Sequence, residues 1–435
     1  MEEKGAYSKS VDRISQLPES VISEILSRLP TEDAIDTCFL SRSWRHRWKD
    51  LLQAFNFSAI PFKNQKGFLD KQGHMRFLSL VNDILLHHRR VPVRKLAIRY
   101  VTDSDVDYAA LNAWVYAAIG SHLEELKLDS EGVNLMVPSR LFTCCTSLVN
   151  LELVCRIDAE EELTQVRFPS LKKLKLGFRN PNLVTNILSG SPILETLDLM
   201  VATKLGAVFK IHSPSLKRLY FVDSCSSRTE QLEINTPLLE YLSIRIYTKQ
   251  LPTNLGVLKI LMKRRSSQCL VRATQFDLPE FRYLRNLEFV HGFLNTRFLF
   301  RMLERCPMLQ VLTIHRQATL WAALHGWTQP TNVPYCLASQ LSIINFQMYV
   351  GTKDDLELIA YILQQGLALK SISIGFGYFP LDSERGQRMI NELFHLSKGS
   401  NMCQLYFKQY SYQLSPHVPP SIQRMITVDN YYCNH

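Results

Sequence analysis

Leu171-Lys172-Lys173-Leu174-Lys175-Leu176 and Leu194-Glu195-Thr196-Leu197-Asp198-Leu199 decide how this chain folds. Each carries leucine at its first, fourth and sixth positions with polar residues between them. The alternation in the second half of each segment is the period of a strand with one buried face. The same spelling recurs at Leu123 to Leu128, Leu148 to Leu153, Leu216 to Phe221 and Leu239 to Ile244, in steps of about 22 to 25 residues. Later copies run from Leu284 to Phe289 and from Leu309 to Ile314, and Val93 to Ile98 is a weaker first copy. A period of that length fits one strand and one short outer element per repeat, neighbours stacking to share a core.

A second signal keeps the same phase. Pro169, Pro192, Pro214, Pro237 and Pro307 each stand two residues before the first leucine of a copy. Proline lacks the N–H and biases the preceding residue away from helix, so these positions are expected to stop one element and start an extended one. Leu183 to Leu188 and Phe298 to Leu303 suit short helices on the outer side. Gln250 to Asp277 lacks a clean copy, and Lys263-Arg264-Arg265-Ser266-Ser267 within it reads as an exposed loop. If leucines point inward, the residues between them form the opposite face. That face holds Glu125, Lys127, Asn150, Glu152, Lys173, Lys175, Thr196, Asp198, Arg218, Tyr220, Tyr241, Ser243, Asn286 and Glu288. One such residue is ordinarily a solvated sheet position; as a set they make a recognition surface, because a curved stack presents many side chains to one partner.

The amino-terminal part follows a helical grammar. Val21, Ile22, Ile25, Leu26 and Leu29 recur at helical spacing after Pro18, which suits a first helical position, and Pro30 ends the run. Thr31 is placed to cap a second helix bearing Ala34, Ile35, Cys38 and Phe39. Ser41 is placed to cap a third, in which Trp44, Trp48, Leu51 and Leu52 share a face. So small a piece cannot hide all these apolar groups in itself. Two outlets stay open: a partner protein, or the rest of this chain. Phe55 to Gly73 reads as a linker with little regular structure, and Met75, Phe77, Leu78, Val81, Ile84, Leu85 and His88 as an amphipathic helix closed by Arg89-Arg90.

Asp12-Arg13-Ile14-Ser15-Gln16-Leu17-Pro18-Glu19, Ile25-Leu26-Ser27-Arg28-Leu29-Pro30-Thr31 and Leu40-Ser41-Arg42-Ser43-Trp44-Arg45-His46-Arg47-Trp48 together resemble a plant-type F-box. The resemblance implies docking on a Skp-type adaptor and through it a cullin that carries ubiquitin-conjugating machinery. It implies that Leu17, Pro18, Ile25, Leu26, Leu29, Pro30, Ile35, Leu40 and Trp44 are adaptor-binding or box-core residues. Arg47 departs from the family pattern, which has an apolar residue before the second Trp. The repeats resemble the irregular leucine-rich-repeat solenoid of plant F-box proteins. The usual Asn or Cys after the strand is missing: Glu131, Arg156, Arg179, Ala202, Ser224 and Tyr247 stand there, which predicts uneven curvature.

Beyond Thr313 the period stretches. Trp327-Thr328-Gln329-Pro330 leads to Leu341 to Phe346; Gly351-Thr352 precede a helix with Leu356, Ile359, Ala360 and Leu363 that Gly366 can end; then comes Leu369 to Ile374. These residues resemble the FBD module of the same proteins and are read as a cap on the last repeat, completed by helix Met389 to Leu396 and strand Cys403 to Phe407. The expected organisation is an α+β solenoid: an arm at 1–11 read as flexible, a three-helix F-box at 12–52, a linker and helix at 53–92, the solenoid at 93–326, an FBD cap at 327–410 and a tail at 411–435.

The 435 residues are 46% hydrophobic and 21% charged, with net charge +10, and the pI is about 9.0. That balance permits an acidic partner. A nucleic acid or an inositol phosphate held by Lys172, Lys173, Lys175, Lys217 and Arg218 is the rival reading, and the mixed signs of the face argue against a long phosphate track. The ten cysteines contain no C-x-x-C pair, and the start of the chain is polar, so a reducing compartment, cytoplasm or nucleus, is expected. No run is long and apolar enough for a spanning helix, so no membrane partner is expected. The phosphate-binding G-x-x-x-x-G-K-[ST], G-x-S-x-G and H-E-x-x-H patterns do not occur. Gly375-Phe376-Gly377 is a fragment of a glycine loop, and His87-His88 lacks a cysteine or carboxylate cluster. No catalytic residue, cofactor or metal is expected. The resemblance implies a non-catalytic substrate-recognition subunit of a ubiquitin ligase, with Glu125, Lys127, Glu152, Lys173, Lys175, Asp198, Arg218, Tyr220 and Tyr241 as substrate-binding residues. A scaffold that binds the adaptor without promoting degradation is a third reading.

Overall fold

A computed structural model of the chain describes residues 13–63, 69–88, 92–100, 109–135, 137–157, 165–178, 181–201, 207–223, 229–246, 259–261, 280–291, 296–316, 327, 329–376 and 380–409. The arm at 1–11, the basic loop at 263–267 and the tail at 411–435 lie outside the described residues. The chain divides into two compact units, Met1–Glu160 and Glu161–His435.

The first unit opens with helices α1 (Glu19–Arg28), α2 (Thr31–Asp36) and α3 (Arg47–Leu51). Ile22, Leu26, Ala34, Trp44, Trp48 and Leu52 are buried. Pro18 and Pro30 stand at the N-caps of the first two helices, and none of the three has a side-chain cap. Thr31 does not cap α2. It is buried as the first helical residue, and its Oγ1 accepts from Asn56 N at 2.6 Å. Ser41 does not cap α3, which starts later; its Oγ lies 2.7 Å from Ser43 Oγ.

The expected linker contains a strand. β1 (Ala54–Ser58) pairs in parallel with β2 (Lys95–Arg99), setting Phe55 opposite Leu96 and Phe57 opposite Ile98. Two phenylalanines thus take the place of the repeat's inward leucines. Between them runs α4 (Lys71–His87), capped by Asp70, whose carboxylate accepts from Gly73 N at 2.8 Å. Phe77, Val81 and Ile84 of α4 are buried, whereas Met75 is exposed. Helix α5 (Ala109–Ala118), β3 (Glu125–Leu135), α6 (Ser139–Cys144) and β4 (Asn150–Ile157) complete the unit, with β2, β3 and β4 successive parallel neighbours.

The second unit is a large parallel sheet with outer elements. Its chain order is β5 (Lys173–Phe178), α7 (Pro181–Ser189), β6 (Thr196–Val201), β7 (Ala207–His212), β8 (Arg218–Asp223), β9 (Thr229–Asn235), β10 (Tyr241–Ile246), β11 (Lys259–Leu261), β12 (Asn286–His291), α8 (Thr296–Glu304), β13 (Val311–Arg316), α9 (Tyr335–Ser339), β14 (Ile343–Tyr349), α10 (Lys353–Gln365), β15 (Ser371–Phe376), α11 (Glu384–Phe394) and β16 (Gln404–Gln409). The spatial order is β5-β6-β8-β10-β12-β13-β14-β15-β16. Leu174, Leu197, Leu219, Leu242, Leu287, Leu312, Ile344 and Ile372 stand in register and form one continuous buried row; the pairing along this ladder shifts near the end of β14, between Gln347 and Tyr349. At ~1.5–3 kcal/mol per fully buried side chain, such rows are what hold the repeats together.

One expectation changes, and the structure adds detail to two others. Pro169, Pro192, Pro237 and Pro307 sit in turns rather than in extended chain: the N–H groups of Leu171, Leu194, Leu239 and Leu309 bond to the carbonyls three residues earlier. A φ near −65° suits the second position of such a turn as well as an extended start. The outer side is not all helix, because β7, β9 and β11 form a separate small parallel sheet with Phe209, Ile211, Leu232 and Ile234 buried. In the FBD-like segment and after it, the strands expected around Leu341 to Phe346, Leu369 to Ile374 and Cys403 to Phe407 are present as β14, β15 and β16, and they continue the same ladder. Gly366 ends α10, but at φ −83. Its need is space, since a Cβ there would meet Leu369 Cδ1 at 2.2 Å.

Candidate binding surfaces

Small size decides the first surface. With Ile22 and Leu26 of α1 turned inward, Val21, Ile25 and Leu29, spaced i, i+4, i+8, run along its outward face, all exposed. Phe39 is 84% exposed, Leu40 65% and Ile14 57%. Leu17 and Ile35 are half-buried, and Pro18 and Pro30 exposed. Of the nine residues implied for adaptor binding, Leu26 and Trp44 are core residues of the box itself. Ile14, Val21 and Phe39 join the exposed apolar set; Val21 was legible from its position beside the inward Ile22 on α1, whereas Ile14 lies in the turn before that helix and Phe39 in the short turn after α2.

The turn carrying Ile14 and Leu17 is held by one hub. Ser15 Oγ accepts from Trp44 Nε1 and from Ser43 Oγ, each at 2.9 Å, and Ser15 O accepts from Arg47 Nη2 at 3.0 Å. The Arg47 guanidinium also lies over the Trp44 ring, 5.5 Å from its centroid. Arg47 therefore has a use in this chain where the family pattern has an apolar side chain.

The second surface is the sheet face opposite the leucine rows. In the first unit, Lys127 Nζ lies 3.6 Å from Glu152 Oε1, and Asn150 Nδ2 donates to the same oxygen at 3.3 Å; Glu125 stands opposite Asn150 in the ladder. In the second unit, register aligns Lys173, Thr196, Arg218, Tyr241 and Asn286 in one row and Lys175, Asp198, Tyr220, Ser243 and Glu288 in the next. Lys175 Nζ lies 3.5 Å from Asp198 Oδ2. The Tyr220 and Tyr241 rings are tilted against each other with centroids 4.9 Å apart.

Residues outside the expected set sit beside those tyrosines. Arg245, buried, donates to Glu288 Oε1, and Tyr241 Oη donates to Glu288 Oε2 at 2.7 Å. His315 Nδ1 and Gln347 Oε1 are 2.6 Å apart on the next strands. Arg245, His315 and Gln347 directly follow the inward Ile244, Ile314 and Phe346 of their strands, so continuing the period-two count past those residues would have found them. Burial, and then the charge of Glu288, push the Tyr241 phenol up, and burial does the same to Tyr220. Burial holds His315 below the ordinary histidine range, against an opposing effect of its bond to Gln347. This face carries ion pairs, a pair of aromatic rings and the exposed cations Lys173 and Arg218. Among the described residues no group of His, Cys, Asp and Glu is placed to hold a metal, and no helix is long and apolar enough to cross a membrane.

Known protein families match the chain in three stretches. The F-box domain family matches residues 14–53, the LRR repeats of FBD-associated F-box protein At5g56370 match 111–260, and the FBD family matches 329–374. The F-box/FBD/LRR-repeat protein At3g52680 of Arabidopsis thaliana is 30% identical over 91% of this chain and 93% of its own length. FBD-associated F-box protein At3g52670 of the same plant is 29% identical over 91% of this chain and 97% of its own. Each matched domain coincides with one stage of the architecture: exposed apolar helices, parallel ladder, and the ladder's last strands. The chain belongs to the plant F-box/FBD/LRR-repeat family.

Proposed function

We propose that this chain is the non-catalytic substrate-recognition subunit of an SCF-type ubiquitin ligase, acting in the cytoplasm or nucleus. The observation that carries the reading is the apolar surface left in water on the F-box: Ile14, Val21, Ile25, Leu29, Phe39 and Leu40. Covering such side chains with a Skp-type adaptor gains ~25 cal/mol for each Å² of apolar surface removed from water. The repeats are read as an irregular solenoid whose polar face is concave and holds a protein substrate. The chain then works by proximity: tethering the substrate near the conjugating enzyme raises effective concentration and needs no active site of its own.

Pull-down with a purified Skp-type adaptor tests the first half. Leu17→Ala/Pro18→Ala and Phe39→Asp/Leu40→Asp variants are expected to lose the adaptor while the repeat unit keeps its thermal unfolding. Retained binding by both would sink the docking assignment. Reconstituted ubiquitination with the cullin complex tests the second half, and absence of transfer to any captured protein would leave an adaptor-binding scaffold.

A further inference from the structure

Charge on the polar face of β5 to β12 is unevenly matched. The two aligned rows and the next step along β10 hold four cations, Lys173, Lys175, Arg218 and Arg245, against two carboxylates, Asp198 and Glu288. Both carboxylates are engaged, Asp198 by Lys175 and Glu288 by Arg245 and Tyr241. Lys173 and Arg218 are the remainder: both are exposed, and among the described residues neither has an ion-pair partner. They stand in the same row two strands apart, which puts their Cα atoms about 10 Å from each other at ~4.8 Å per strand. Next along that row comes Tyr241, its ring against Tyr220. Tyrosine pairs with one wet end are good anchors for a buried apolar side chain.

We infer that the segment bound here is an extended acidic peptide, with two carboxylates seated on Lys173 and Arg218 and an apolar or aromatic side chain on the Tyr220–Tyr241 pair. An extended chain advances ~3.3 Å per residue and turns every second side chain to the same face, so carboxylates meeting both cations lie two or four residues apart, ~6.6 or ~13 Å, and the long Lys173 and Arg218 side chains close the difference from ~10 Å. Each cation is single rather than part of an arginine cluster, which matches a singly charged carboxylate better than a phosphate. The face supplies no row of cations that would track a nucleic-acid backbone. The inference rests on the reading of the polar face as the substrate surface and names the substrate's chemistry.

Fluorescence anisotropy with the full chain tests it. The probes are fluorescein-labelled ten-residue peptide pools with Asp at two positions two or four apart followed by Phe, Tyr or Leu, and matched pools with Lys or phosphoserine for Asp. The Asp pool is expected to bind at least about tenfold tighter than the Lys pool at ~0.1 M salt, and less tightly as salt rises. Lys173→Glu/Arg218→Glu should reverse the order of the two pools while keeping the repeat unit's urea midpoint, which shows that the variant is folded. Equal binding of the pools, no binding of either, an unreversed order in the variant, or binding confined to phosphoserine peptides or to a single-stranded RNA oligonucleotide would each overturn the acidic-peptide site. A separate outcome addresses the reading beneath it: if the Asp peptide binds but a carrier bearing it receives no ubiquitin in the reconstituted ligase, the peptide site stands and the receptor role falls.

Discussion

The F-box and the repeat sheet place similar apolar residues in opposite situations. In the sheet, Leu197, Leu219 and Leu242 are fully buried and meet their counterparts in register. In the box, Leu40 and Phe39 stand in water beside a core of only a few side chains. The difference follows from repetition. A stacked repeat offers every inward leucine a neighbour on both sides, whereas a short helical piece has no second layer to offer. Apolar residues in the sheet therefore report on stability, and those outside the box core report on a partner. The sharpest way to break that contrast is one truncation on each side. Leu219→Ala should cost ~2–5 kcal/mol by leaving a cavity in the middle of the ladder, measured as a lower urea midpoint for the repeat unit, with adaptor binding kept.

The matching change in the box should do the reverse. Leu40→Ala is expected to move stability by no more than ~0.5 kcal/mol, as for other exposed positions. Its adaptor affinity should fall by ~1–2 kcal/mol if Leu40 is one of the buried anchors of the docked complex. Calorimetric titration reads the second effect and thermal unfolding the first. A drop in melting temperature with adaptor affinity intact would reverse the assignment of that side chain.

Helix ends sharpen the contrast further. The box helices begin at Pro18, Pro30 and His46 without side-chain caps. Helix α10 carries a full capping box: Thr352 Oγ1 accepts from Asp355 N, and the Asp355 carboxylate accepts from Thr352 N, each at 3.2 Å. Just before it, Gly351 holds φ +76, where any Cβ would also strike Met389 at 2.6 Å. Thr352→Ala should therefore cost ~1 kcal/mol. Amide exchange over Asp354 to Glu357 is expected to quicken, with the box unaffected.

These residues also show what was legible beforehand. The leucine spelling located the ladder strands from β2 to β13 because their inward positions are filled by leucine or a close relative at one period; β7, β9 and β11 carry no such spelling. β1 escaped because Phe55 and Phe57 replace leucine at the fourth and sixth positions, although Leu52 holds the first, and because the stretch that follows, with Pro61 and Lys63 to Gly67, reads as linker. The tyrosine pair was legible as two positions of one face. Its setting was not, since the Arg245–Glu288 bond depends on β10 and β12 being neighbours, and the segment between them has no repeat spelling to reveal it. The box was legible as too apolar for its size, but only the packing separates core Leu26 and Trp44 from exposed Leu29 and Leu40.

Acidity gives the mildest test. His315 faces Gln347 within hydrogen-bond reach, with Arg245 and Glu288 the charged groups acting on it. Burial lowers its folded-state pKa below the unfolded value near 6.5. A depressed histidine is neutral when folded, so the unfolded chain binds more protons in the interval between the two values. The stability it confers is whole above about pH 6.5 and is lost as pH falls through the folded value, by at most ~1.4 kcal/mol per pH unit for one proton. The repeat unit's urea midpoint should thus decline on acidification below about pH 6.5, and His315→Gln should flatten the decline. Carboxylates titrate lower, near pH 4, so a decline that begins only there and survives in His315→Gln would assign the acid sensitivity to Asp and Glu and remove His315 from the account.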